Sequence, residues 1–399
     1  MLGAFAAIAC SASGSRRATG PLPPRLPSPP RATATAIAAG YGHSCALTSA
    51  GGVKCWGRND FGQLGDGTTS DRRAPVDVRG LAGGVTAIAA GTDHTCALTS
   101  AGGVRCWGYN GYGQLGDGTT TRRLTPAAVS GLATGVRAIV AGTDHTCTLT
   151  SAGGVKCWGS NDFGQLGDGT TTDQRAPVDV RGLAGGVTAF AAGYFHTCAL
   201  TSAGAVKCWG YNRYGQLGDG TRTDRHTPVG VAGLAGGVTA ITAGGGHSCA
   251  LTRKRGVKCW GSNYFGELGD GTTTRRLNPT AVSGLAGGVT AIAAGGEAHG
   301  CALASAGVIK CWGYNGHGQL GDGTTTDRHA PVDVSGLFGG VKMLAAGGYG
   351  YTCALTSAGA IRCWGRNSSG QLGDGTTAER HTPVGVISFG GSPVAGGRR

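Results

Sequence analysis

The chain lacks the ingredients of helices and membrane spans. Methionine occurs only twice in 399 residues, and no stretch of a dozen residues places apolar side chains at helical spacing, which argues against ordinary α or α/β domains. No apolar run approaches the ~20 residues that a transmembrane helix needs. No Cys-x-x-Cys occurs, so the usual structural zinc spacings are missing. The recurring Gly-Asp-Gly-Thr has neither the lysine nor the following helix of a phosphate-binding loop. Acidic residues are scarce, 21 against 34 lysines and arginines, for a net charge of +13.

What is abundant is glycine, 80 residues, about three times the usual fraction of roughly 7%. Glycine at this density without a three-residue period, between short regular apolar segments, points to tight turns and all-β structure. There are also 15 cysteines. Fourteen form seven pairs with one spacing: Cys45 with Cys55, Cys96 with Cys106, Cys147 with Cys157, Cys198 with Cys208, Cys249 with Cys259, Cys301 with Cys311, and Cys353 with Cys363. Even numbers at regular spacing suggest a disulfide framework in an exported protein.

Each pair belongs to a repeat of 51 or 52 residues, and both single-residue insertions fall in one loop, "GGEAH" and "GGYGY" against "GYGH". The first unit reads as a small apolar strand "TAIAAG" (35–40), a hairpin "HSCALT" (43–48) and "VKCWG" (53–57), and a short outer strand "PVDV" (75–78) opening on proline, as an edge strand can. Four short antiparallel strands every ~50 residues is the period of a propeller blade. The fold expected is therefore an all-β, seven-bladed β-propeller over 36–388. It follows a Pro/Ser/Arg-rich tether and leader (1–35) and precedes a Gly/Arg-rich tail (389–399).

The hairpin explains the cysteine spacing. A three-residue loop of Ser49, Ala50 and left-handed Gly51 makes Thr48 pair with Gly52. Pairing then runs Leu47 with Val53, Ala46 with Lys54 and Cys45 with Cys55. The cysteines fall at a non-hydrogen-bonded position, where side chains approach closely enough for a disulfide. Buried free thiols and a zinc site shared between blades are the alternatives. The fifth unit reads "LTRKRGVKC" and puts Arg255 where six units have glycine, so either Arg255 accepts a left-handed conformation or the turn changes.

Several once-per-unit residues read as scaffold. The tryptophans after the second cysteine are expected to pack between blades, and the aspartates of "GDGT" to form turns, with a calcium role as the weaker alternative. His43, His94, His145, His196, His247 and His299, with Tyr351 at the seventh place, occupy equivalent positions and are expected to be structural. Nothing breaks the symmetry at one place as an active site would. No enzyme activity, cofactor or metal is expected.

The pattern G-x-x-H-T-C-A-L-T followed by V-K-C-W-G-x-N-x-x-G-Q-L-G-D-G-T resembles the regulator of chromosome condensation repeat, a family of seven-bladed propellers. The paired cysteines are more similar to bacterial exported members than to nuclear ones. The family's founding activity is nucleotide exchange on the small GTPase Ran, with nucleosome binding. It depends on a wedge-like insertion and a basic tail. No unit here deviates by more than one residue, and Arg16, Arg17, Arg25 and Arg31 only faintly resemble the tail. A secreted member that inhibits β-lactamases with one face of its ring implies binding through a face.

Residues that vary between units mark candidate binding loops. Those preceding the histidine include Tyr41, Asp93, Asp144, Tyr194, Phe195, Glu297 and Tyr349. Those following Trp-Gly include Arg58, Arg213 and Arg366. Aromatic residues and arginine are enriched at interface hot spots, although aromatics in the second group could equally fill grooves between blades. Eleven arginines between "GDGT" and the next proline could attract an acidic protein or polymer, or remain solvated and acid-paired. No element for reading nucleic-acid sequence accompanies them. A monomer is expected. The start "MLGAFAAIAC" resembles a lipoprotein signal cut before Cys10 but lacks its basic residues, so membrane attachment is expected only through a lipid on Cys10. The expectation is an extracellular or cell-surface protein that binds a protein or anionic partner. The alternative is a cytoplasmic exchange-factor-like or chromatin-binding scaffold.

Overall fold

The computed structural model describes residues 32–391. Cys10, with the lipid-anchor reading attached to it, lies outside the described residues. β1 (Ala34–Ala39), β2 (His43–Thr48), β3 (Val53–Gly57) and β4 (Arg72–Asp77) form one antiparallel sheet in chain order. Six further sheets of four consecutive strands follow at 85–128, 136–179, 187–230, 238–281, 289–338 and 341–385. This is a seven-bladed β-propeller.

The hairpin register is as expected. Leu47 faces Val53, Ala46 faces Lys54 and Cys45 faces Cys55, with Thr48 N donating to Gly52 O at 2.8 Å and Gly51 at φ +78°. The same register recurs in the other six blades. Cys96 faces Cys106, Cys147 faces Cys157 and Cys198 faces Cys208. Cys249 faces Cys259, Cys301 faces Cys311 and Cys353 faces Cys363. All seven pairs sit at disulfide distance with Cα atoms 4.1 Å apart. Each pair therefore lies within its own blade at disulfide distance, not in a zinc site shared between blades.

The outer strand differs from expectation. It opens at Arg72, three residues before Pro75, because the register jumps between Cys55↔Val76 and Gly57↔Arg72. The proline, which has no N–H, falls in that irregular stretch on the sheet's free edge.

The fifth hairpin keeps the same three-residue turn. Arg255 N donates to Thr252 O at 2.8 Å, and Arg255 itself takes the left-handed conformation at φ 58°. An L-residue there costs roughly 1–2 kcal/mol relative to glycine. Arg255→Gly is therefore expected to stabilise the protein by about 1 kcal/mol, since the added freedom of the unfolded glycine offsets part of the relief. Denaturant unfolding of the two proteins measures the difference, and a destabilised variant would contradict the strain argument.

Neighbouring blades meet along a repeated polar and apolar seam. The tryptophans are buried there, each donating Nε1–H across the seam: Trp107 to the carbonyl of Gln63 and Trp158 to that of Gln114, both at 2.9 Å. The same carbonyls accept the hydroxyls of Thr95 and Thr146. These hydroxyls lie 2.8 and 2.9 Å from Nε2 of His43 and His94. With the hydroxyl proton committed to the glutamine carbonyl, Nε2 must carry the imidazole proton. Burial holds these rings neutral, down to about 3 at His43, His94, His196 and His247 and about 4 at His145 and His299. The fifth seam lacks the hydroxyl, because Gly300 stands in its place, and His247 Nε2 has no hydrogen-bond partner.

The ring closes without a shared sheet. Tyr351 replaces histidine at the last seam. Its hydroxyl donates to His43 O at 2.6 Å and lies 3.1 Å from Ser44 Oγ. Trp56 donates to Gln371 O at 2.9 Å, Gly348 N to Gly40 O at 2.8 Å, and Phe389 packs on Trp56 with ring centroids 6.2 Å apart.

Candidate interaction face

In every blade the loop between the first two strands and the long loop after the third emerge on the same face, which the antiparallel chain direction requires. They are tied by a backbone bond: Arg58 N donates to Gly42 O, Tyr109 N to Asp93 O and Tyr211 N to Phe195 O, all at 2.8 Å. The long loop is organised by a buried asparagine. Asn59 accepts from Leu64 N at 3.0 Å and donates to the carbonyls of Thr68 and Ser70 at 3.1 Å. Asp66 accepts from Thr68 N and Oγ1 and pairs with Arg72 at 2.8 Å, the turn-forming role expected of it.

At the axis the varied residues meet in two groups. Tyr41 stacks on Tyr349 at 4.4 Å, and the Arg366 guanidinium lies 3.4 Å from the Tyr349 centroid. Glu297 lies close by, against Gly350, with one carboxylate oxygen buried and unpartnered. Burial pushes its carboxyl up, opposed by His317 and Arg366. On the other side Tyr194 reaches across the axis from the fourth blade to the seventh, its hydroxyl donating to Gly348 O at 2.8 Å. The ring crosses so close to Gly296 that a Cβ there would fall 2.3 Å from the hydroxyl oxygen, so a side chain at 296 would displace it. Beneath Tyr41 and Tyr194 lies an axial cavity of about 80 Å³, lined by the small residues that end the first strands. Tyr194 thus packs as well as presenting a surface. Phe195 sits 5.4 Å from Phe163.

Asp93 and Asp144 face inward more than a simple contact loop would require. Asp93 accepts from Gln63 Nε2 at 3.0 Å and from Arg58 at 3.3 Å. Asp144 accepts from Gln114 Nε2 at 2.9 Å. Burial, then the neighbouring Asp93 charge, pushes Asp144 up to about 6. A carboxyl raised on folding favours the folded state while protonated, so its contribution falls as pH rises from its ordinary ~4 through about 6. Asp144→Asn is expected to stabilise the protein at pH 7.5 by about 1–3 kcal/mol and to change little at pH 4. Equal effects at both pH values would contradict this.

An aromatic arc runs outward on the same face. Phe163 packs on Tyr211 at 4.7 Å, Tyr211 on Tyr214 at 5.9 Å and Tyr214 on Tyr264 at 6.0 Å. Phe265 meets Tyr314 at 5.0 Å. Tyr264, Phe265 and Tyr112 are the exposed large apolar side chains among the described residues, with Tyr264 at 59%. Arg213 is exposed in the long loop of the fourth blade, apart from the axial groups.

The arginine ring divides. Arg72, Arg123, Arg225, Arg276, Arg328 and Arg380 each pair with the aspartate of their own "GDGT" turn at 2.7–2.8 Å. Their charge is locally neutralised, leaving Arg73, Arg122, Arg175, Arg222 and Arg275 outside these pairs.

Sequence reasoning missed the asparagine of each unit and the glutamine that six units carry, replaced by Glu267 in the fifth. The carbonyl at this position joins two blades, and the side chains of Gln63 and Gln114 also reach Asp93 and Asp144 of the next blade's loop. Their recurrence, broken only by Glu267, was the available signal.

The RCC1-like domain family matches residues 7–349, and the regulator of chromosome condensation (RCC1) repeat matches 344–371 and 359–396. The ultraviolet-B receptor UVR8 of Arabidopsis thaliana is 34% identical over 352 residues, 87% of this chain and 80% of that protein. Human E3 ubiquitin-protein ligase HERC2 is also 34% identical, over 80% of this chain but only 7% of its own length. Yeast RCC1 (Prp20), solved bound to Kap60, superposes with a TM-score of 0.73 at 24% identity, covering 84% of this chain and 83% of its own, a likeness of fold. On the matched repeats and the full-ring relative, this chain belongs to the RCC1-like family of β-propellers.

Proposed function

We propose that this protein is a non-enzymatic scaffold, exported to the cell surface or beyond, that binds a protein partner through the loop-bearing face. The observation that carries the reading is the aromatic arc with Tyr264 and Phe265 exposed, together with Tyr112 exposed in the second blade's loop on that face. Blade walls repeat almost unchanged while these loops differ. Exposed rings on a rigid frame lose little conformational freedom on binding and are the commonest hot-spot type. Relatives of this fold support a binding role, and the cysteine pairs at disulfide distance support an oxidising compartment.

The second reading is an intracellular exchange-factor-like or chromatin-binding scaffold. It is favoured by the structural neighbour Prp20p of Saccharomyces cerevisiae, described with its binding to Gsp1p and histones. Against it, blade lengths differ by no more than one residue, which leaves no wedge-like insertion.

The test is affinity capture from the native source with the wild-type chain and with Tyr264→Ala/Phe265→Ala, alongside a thiol count on the native protein. Loss of the captured protein with an unchanged melting temperature is expected. Equal capture by both proteins would sink the face assignment. Fourteen free ring thiols would favour the intracellular reading.

A further inference from the structure

The opposite face carries the hairpin turns, and one blade departs from the rest. Six blades turn through Ser-Ala-Gly or its equivalent, small and uncharged; the fifth turns through Arg253, Lys254 and Arg255, all exposed. The backbone is anchored as in its siblings, with Arg253 N donating to Gly237 O at 2.8 Å and Val289 N to Arg255 O at 3.0 Å. The three cations therefore project from a fixed loop whose last residue holds a left-handed conformation. Strain kept at one repeat and absent from six points to a use for the side chains.

A fourth cation joins them. Lys54, Lys156 and Lys310 pair with Asp77, Asp179 and Asp333 on their outer strands at 2.6–2.7 Å. Lys258 faces Ala281, as Arg105, Lys207 and Arg362 face Ala128, Gly230 and Gly385, and only in the fifth blade does such a cation lie beside a basic turn. Among the described residues no carboxylate pairs with Arg253, Lys254, Arg255 or Lys258. Beside Arg253, Lys254 and Lys258 opens a cleft of about 510 Å³, lined also by the aliphatic Val257, Ala281, Leu285 and Ala286.

We propose that this cleft and knob form a second docking surface, for an acidic peptide segment that inserts an apolar side chain. Unneutralised cations on an anchored backbone attract carboxylates and steer their approach. The aliphatic part of the lining fits an apolar anchor. A phosphate chain would use the same charges, but none of the lining residues is aromatic, so no base-stacking platform accompanies them. The surface is independent of the aromatic arc on the other face.

Fluorescence anisotropy of the full chain with a labelled peptide of glutamates flanking a Leu-Leu centre tests this. Arg253→Ser/Lys254→Ala/Arg255→Gly restores the turn of the other blades, so it is expected to fold at least as stably, and to weaken peptide binding at least about tenfold. Raised salt should weaken wild-type binding similarly. Tyr264→Ala/Phe265→Ala should bind the peptide as the wild type does. Unchanged affinity in the triple variant would overturn the proposal. Equal binding of a Ser-Ser-centred peptide would remove the anchor and overturn it. Tighter binding of a thymidine oligonucleotide of matched charge would overturn it in favour of a phosphate chain.

Discussion

Lowering the pH from 7.5 to 5 is expected to destabilise the folded ring by on the order of 5–10 kcal/mol. Six imidazoles are buried and held neutral, down to about 3 or 4. In the unfolded chain each titrates near its ordinary ~6.5. Below that value the unfolded state takes up protons that the folded state refuses, so stability present at neutral pH is lost as pH falls. Each ring contributes about 2 kcal/mol by pH 5. Asp93, Asp144, Glu267 and Glu297, raised on folding, act in the opposite direction and offset part of the total. Denaturant midpoints across this range measure the slope, and replacing one ring, as in His94→Gln, should reduce it by nearly one proton. A flat profile would mean that the imidazoles protonate in place.

Removing all seven cysteine pairs is expected to prevent a stable ring. A bond closing a short hairpin contributes about 2–3 kcal/mol, so seven together rival the ~5–15 kcal/mol net stability of a typical domain. The sulfurs are buried, none more than 2% exposed, so reduction should be slow in the native state and follow unfolding. Reduced and alkylated chain should lose the near-ultraviolet signal of its packed tryptophans. Replacing one pair, Cys198 and Cys208, with alanine should cost about 2–3 kcal/mol. A reduced chain that kept native tryptophan spectra would show that blade packing alone suffices, and would weaken the case for an oxidising compartment.

Much of this was legible because it is local. The pairing of Cys45 with Cys55 follows from counting outward from a three-residue turn, and it held in all seven hairpins. Arg255 was readable as a misfit from a single position. The seam was legible only in part: Trp56 and its equivalents were visibly once per blade, but their acceptors lie one blade back. The roles of Asn59 and Gln63 depend on loop geometry that no propensity encodes. Variation between units places Tyr194 among the candidate binding residues. Its hydrogen bond to Gly348 joins residues far apart in the chain, which become neighbours only when the ring closes. The division of arginines into paired and unpaired sets likewise depended on side-chain reach, not on residue type.

No sheet is shared between the first and last blades, so every blade is one contiguous cassette of chain. Genes with near-identical tandem segments recombine out of step, and an exchange between equivalent points here would add or delete a whole blade without splitting a sheet. The same property makes the chain permutable: new termini placed between any two blades, with the old ends joined, would leave seven intact sheets. Inheritance can therefore edit this ring in units of one blade.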